Sequence, residues 1–216
     1  AGLEDLCQSK WRLAIVPCVQ ENKPLPVYLL CAHIGDAQKL TSKSLVSAPA
    51  ISELFPVVTG IDHVLSMACD KWGGQFLCST WTTSVHVAGA SLQVPVYLSL
   101  GCAALDLPVP QGLLATGEVT SGGRVSRVRH IEQKITLAGD QGLLIPEDNW
   151  QVLKPDLKSR SIPVNNLDIA WHIWEASSKG LTAAKIYALL QGLNMPTRLF
   201  PLLPEASVPE LDIIRT

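Results

Sequence analysis

Charged residues are scarce in this chain: Asp, Glu, Lys and Arg make up 17% of its 216 residues, where an ordinary soluble domain has about 25%. Such a deficit is expected where a partner, or further copies of the chain, cover part of the surface. The 17 basic and 19 acidic side chains nearly cancel, to a net charge of -2, and form no long run of one sign. A nucleic-acid surface needs a concentrated basic stripe, so no nucleic-acid partner is expected. None of the six cysteines (Cys7, Cys18, Cys31, Cys69, Cys78, Cys102) belongs to a Cys-x-x-Cys pair. The expectation is reduced, buried thiols in a cytoplasmic protein rather than a disulfide framework. No window of 18 uninterrupted apolar residues occurs, so no transmembrane helix and no membrane partner are expected. The first residues lack the basic-then-apolar order of a secretory signal. The chain begins with Ala1 rather than Met, as a processed product or a piece of something longer would. His33, His63, His130 and His172 share no metal-ligand spacing, and no metal or other cofactor is implied. There is also no Gly-x-x-x-x-Gly-Lys-Ser/Thr loop, so the chain is not expected to carry an ATPase of its own.

What is present is ample apolar material, 47% of the chain, in segments whose period changes. Trp11–Val19 and Pro26–His33 read as strands bounded by Pro, Asn and Gly, and Gln75–Val87 as another. Ala50–Asp70 has helical spacing disturbed by Pro56 and Gly60. Ser91–Leu105 reads as a helix with Val94, Tyr97, Leu98, Gly101 and Leu105 on one stripe. Leu113–Thr120 and Arg124–Val128 read as strands around a turn at Ser121-Gly122-Gly123. Then come a helix from about His130 to Asp140, a buried strand Leu143–Ile145, a short helix after Pro146, a strand near Ser161–Val164 and a helix Leu167–Ser177. Trp171 and Trp174 on that last helix are expected in a core or a subunit contact. This alternation predicts an α/β or α+β domain over residues 1–178. Residues 179–216 are expected to add a helix (Leu181–Leu193) and a Pro-rich extended tail.

Two residues carry candidate chemistry. Ile131, Ile135 and Ala138 define an apolar stripe, and Lys134 falls on that same face. A lysine there loses hydration, which favours its neutral form; the alternative is an edge position from which it snorkels to water. Ser91 follows Ala88-Gly89-Ala90 at a predicted helix start. It would serve there as a plain N-cap, or project its hydroxyl where backbone N–H groups face a developing oxyanion.

The segment Ala115-Thr116-Gly117-Glu118-Val119-Thr120, followed by Gly123-Arg124-Val125 and by Leu144-Ile145-Pro146-Glu147-Asp148-Asn149, resembles the proteolytic domain of the ATP-dependent Lon proteases. Upstream, Ser84-Val85-His86-Val87 resembles the strand that enters that family's catalytic loop. The resemblance spans roughly residues 45–175 and needs no gap from Ser91 to Lys134. It implies Ser91 as nucleophile, Lys134 rather than Glu132 as general base, and Thr116 as the lysine's support. Backbone N–H groups of Gly89, Ala90 and Ser91 are implied as the oxyanion site. The implied fold is a compact Lon-like domain of mixed sheets and packed helices. The implied activity is a serine endopeptidase acting on unfolded or loosely folded polypeptides, as a homo-oligomer, in the family a ring of six, with a separate AAA+ ATPase as partner. The loop before the serine departs from the family's longer Asp-Gly-Pro-Ser-Ala-Gly motif: it reads Ala88-Gly89-Ala90-Ser91-Leu92-Gln93 and holds no acid. Two other readings keep the fold, a self-processing birnavirus-like polyprotein protease and a non-catalytic Lon-like scaffold. His86 is expected to be structural or to line the groove.

Overall fold

A computed structural model describes residues 10–20, 23–33, 58, 60–80 and 90–181. The expected helix over 181–193 beyond its first residue, the tail, Gly89, His86 and the strand beyond Thr80 lie outside them.

Two long strands open the chain, β1 (Lys10–Gln20) and β2 (Lys23–His33). They pair antiparallel from Lys10↔His33 to Gln20↔Lys23. β3 (Phe76–Thr80) joins the free side of β2, from Leu29↔Thr80 to His33↔Phe76. Between β2 and β3 comes helix α1 (Asp62–Trp72).

A single turn of 3-10 helix, Ala90–Leu92, feeds α2 (Gln93–Ala104). Every α2 residue from Gln93 to Ala103 is buried. The expected one-sided stripe is therefore corrected: β1 and β2 cover one side, with α1 and α6 (Leu167–Ser178) packed against others. Leu105 falls past the helix end and is exposed. A Cβ at Gly101 would run into the rings of Trp171 and Trp72, so only glycine lets α2 lie this close to α1 and α6. Trp171 and Trp174 are both core residues. α6 begins at Asn166, whose Oδ1 accepts from Ile169 N at 2.8 Å, a side-chain cap on an otherwise open helix end.

The second half builds a parallel sheet in the order β4-β7-β8, from β4 (Leu113–Ala115), β7 (Gly142–Pro146) and β8 (Ser161–Val164). β4 and β7 are parallel, so the chain must cross over between them. That crossover holds the small antiparallel pair β5 (Glu118–Val119) and β6 (Val125–Ser126), then α3 (Ile131–Ala138). Short helices α4 (Glu147–Trp150) and α5 (Pro155–Lys158) link β7 to β8. The mixed α/β fold is as the sequence predicts. The expected continuous strand Leu113–Thr120, however, breaks at Thr116-Gly117, and its two pieces join different sheets.

The core divides in two. The larger cluster fills the space between the first sheet and α1, α2 and α6. The smaller gathers Leu114, Val128, Ile131, Ile135, Ala138, Leu143, Ile145 and Leu153 around α3 and β7. No described helix is long and apolar enough to cross a membrane.

Candidate active site

The break at Thr116-Gly117 is where the two halves of the chain meet. Thr116 N still pairs with Leu144 O at 3.0 Å, as a continuation of β4 would. The next residue turns away: Gly117 N donates to Ser91 O at 3.1 Å, and Gly117 O accepts from Val94 N at 3.2 Å. The strand thus leaves one sheet to bind the turn that carries Ser91. A Cβ on Gly117 would sit 2.7 Å from Val94 Cγ2 and 2.9 Å from Val125 Cγ1. Any larger residue would push the crossing apart.

Thr116 is fully buried, and its hydroxyl is used twice. Oγ1 donates to Ser91 O at 3.3 Å and accepts from Lys134 Nζ at 3.1 Å. Since its one proton faces the serine carbonyl, an oxygen lone pair faces the amine.

Lys134 lies on the buried face of α3 with Ile131, Ile135 and Ala138. At 3% exposure it does not snorkel to water. Glu132, on the same helix, is exposed, and among the described residues no carboxylate pairs with the amine. Burial lowers the Lys134 pKa from 10.5 to about 8, and charge on the Cys18 sulfur would oppose it. Burial likewise raises Cys18 to about 11, with Lys134 opposing, so at neutral pH the thiol keeps its proton. A lysine titrating near 8 is neutral in roughly one molecule in ten at pH 7, against one in a few thousand for a free lysine.

Ser91 is half-buried in the 3-10 turn. Leu92, not Ser91, occupies the cap position of α2, and no side chain caps that end. The simple N-cap alternative is thereby removed. The serine hydroxyl makes no hydrogen bond among the described residues. Lys134 and Ser91 are linked through Thr116, not by a direct hydrogen bond. Such contacts often close only when substrate arrives. Of the three N–H groups expected at an oxyanion site, those of Ala90 and Ser91 belong to the turn, and Gly89 lies outside the described residues.

Three contributors were not foreseen from the sequence. Cys18 sits near the lysine from β1, a distant strand that periodicity cannot pair with α3. Asn149 Oδ1 accepts from Val128 N at 2.8 Å, and its Nδ2 donates to Val128 O at 3.0 Å. This two-way clamp fixes the segment entering α3. Asn149 belongs to the Ile-Pro-Glu-Asp-Asn motif, a signal that marks it without giving it a task. Gln93 is buried on the first turn of α2, where a polar side chain would usually face water.

A mixed α/β fold that buries a lysine against a threonine beside a serine-bearing turn suits proton abstraction by an amine. The chain is distantly similar to one protease: it is 26% identical over 167 residues, 73% of its length, to the mitochondrial Lon protease homologue of Schizosaccharomyces pombe. It spans only 14% of that relative. No protein-family model matches the chain.

Proposed function

We propose that this chain is a serine endopeptidase domain in which Ser91 is the nucleophile and Lys134 its general base. The observation that carries the reading is the buried Lys134 amine, free of any described carboxylate and held by Thr116. The distant likeness to a protease supports it.

In its neutral form the amine donates one N–H to Thr116 Oγ1, which leaves its lone pair for the Ser91 proton. As that proton moves to Lys134, Ser91 Oγ bonds to the peptide carbonyl carbon and the carbonyl electrons collect on oxygen. Main-chain N–H groups of Gly89, Ala90 and Ser91 would stabilise that charge. Collapse of the intermediate breaks the C–N bond. The Lys134 ammonium gives its proton to the leaving amine, and an acyl-enzyme remains on Ser91. A water activated by the same amine then hydrolyses the ester.

The proposal extends to a domain of residues 1–178, self-association into a ring, and unfolded or loosely folded polypeptides as substrates unless a separate ATPase unfolds them. Ser91→Ala should abolish cleavage of casein with the melting temperature unchanged. Undiminished cleavage by that variant would refute the reading.

A further inference from the structure

Gln93 lies two residues after Ser91, and only 7% of its surface is exposed. A buried amide needs partners for both its oxygen and its nitrogen, and this one finds them on two separate segments. Oε1 accepts from Val119 N in β5 at 2.7 Å. Nε2 donates to Gly60 O at 2.8 Å, just before α1. His63 Nε2 lies 2.9 Å from Val119 O, a second tie between α1 and β5. On its other side the serine turn is held by Thr116 and Gly117 through Ser91 O. Gln93, the first residue after this turn, therefore links the start of α2 to β5 and to the entry of α1.

We infer that Gln93 is a positioning residue for Ser91: by bonding β5 and the segment before α1 to the first turn of α2, it fixes the bearing of the serine hydroxyl on the Thr116–Lys134 pair. This rests on the assignment of Ser91 and Lys134 above. A shift of about 1 Å in a nucleophile costs roughly a hundredfold in rate. A slack turn should therefore slow the chemistry while leaving the binding of substrate nearly unchanged.

The test is stopped-flow acylation by a p-nitrophenyl peptide ester, with burst titration of reactive serine, on wild type, Ser91→Ala, Gln93→Met and Gln93→Glu. Gln93→Met should lower the acylation rate constant per titrated serine by roughly 30–100-fold, while the substrate dissociation constant, read from the concentration dependence of the burst rate, changes by less than about threefold. Gln93→Glu keeps an acceptor for Val119 N and loses the donor to Gly60 O, so it should fall between. A merely structural role would lower the burst amplitude and leave the rate constant at the wild-type value, which would overturn the inference. Should Gln93→Met not fold, Gln93→Glu decides alone: a wild-type rate constant overturns the inference and a reduced one sustains it. No burst in wild type, or an equal burst in Ser91→Ala, would remove the Ser91/Lys134 assignment and the role of Gln93 with it. A silent Ser91→Ala beside Gln93 variants at the wild-type rate would remove the role of Gln93 alone.

Discussion

Lys71 and Lys134 differ in burial and in partner, and they titrate in opposite directions from the ordinary lysine value. Lys71 on α1 is partly covered, lying 5.7 Å from the centroid of the Trp72 ring and 5.9 Å from that of Tyr97. Burial alone would lower its pKa. The Asp168 carboxylate, 2.8 Å away, reverses this together with Tyr97, and Lys71 titrates above its ordinary value. Lys134 is more deeply buried, has a threonine hydroxyl in place of the carboxylate, and titrates near 8. Burial acts in the same direction on both. The partner and the depth of burial together decide which amine is held charged and which is moved toward the neutral form.

The largest expected effect comes from replacing the proposed base, Lys134, with a cation that cannot release its proton. Wild-type kcat/KM for a peptide substrate should rise with pH to a plateau above about 8, following Lys134. Lys134→Arg should lose roughly 10²–10⁴-fold, because guanidinium stays protonated. A variant that keeps its activity, or a wild-type profile still climbing at pH 10, would remove Lys134 as the base.

Next comes stability. Between pH 8 and 10.5 an unfolded Lys134 holds a proton that the folded one lacks, so stability rises with pH across that window. Below it both states are charged, and the folded state bears the whole cost, about 3 kcal/mol. Lys134→Met should therefore stabilise the fold by about 2 kcal/mol at pH 7, after the lost hydrogen bond to Thr116. The gain should shrink toward pH 10.5. Urea unfolding at pH 7 and pH 10 measures it, and a destabilised variant at pH 7 would contradict the account.

Giving Lys134 what Lys71 already has is the third way to test the contrast. Cys18→Asp places a carboxylate beside the amine and should raise its pKa by about 1–2 units. At pH 7.5 kcat/KM should then drop by roughly 8- to 80-fold, following the neutral fraction of the amine, and the midpoint of the pH profile should move upward. Superimposable profiles would mean that position 18 does not act on the base. The smallest effect belongs to Asp168→Asn. The Asp168 side chain is 77% exposed, and such pairs contribute less than about 1 kcal/mol. Unfolding should barely change and activity should not, while the Lys71 signal followed by NMR should titrate at lower pH.

Much of this arrangement was legible in the sequence, for reasons that differ by element. α3 declared itself because Ile131, Ile135 and Ala138 share a helical face, and the structure buries that face with Lys134 on it. β8 runs from Ser161 to Val164, as its short apolar run suggests. α2 was legible as a helix but not in its surroundings: a helix buried on every side has no stripe to read. The split of Leu113–Thr120 left no local sign. It arises from a contact with Ser91, 25 residues earlier, and from a close approach to Val94 and Val125 that only Gly117 allows.

The sequence by itself determined the alternating α/β elements, the apolar face that takes Lys134 inward, and the residue types that a serine–lysine chemistry requires. The elements and the apolar face follow from period and composition, which are local; the serine–lysine pairing is what the resemblance of the surrounding motifs to the Lon family implies. Tertiary structure alone decided that Cys18 of a distant strand lies near the lysine, and that Gln93 ties the start of the serine-bearing helix to β5. The physical reason is desolvation. An amine shifts as far as the surrounding atoms exclude water, and those atoms come from β1, from the turn after β4 and from α3 itself, segments that only the fold brings together.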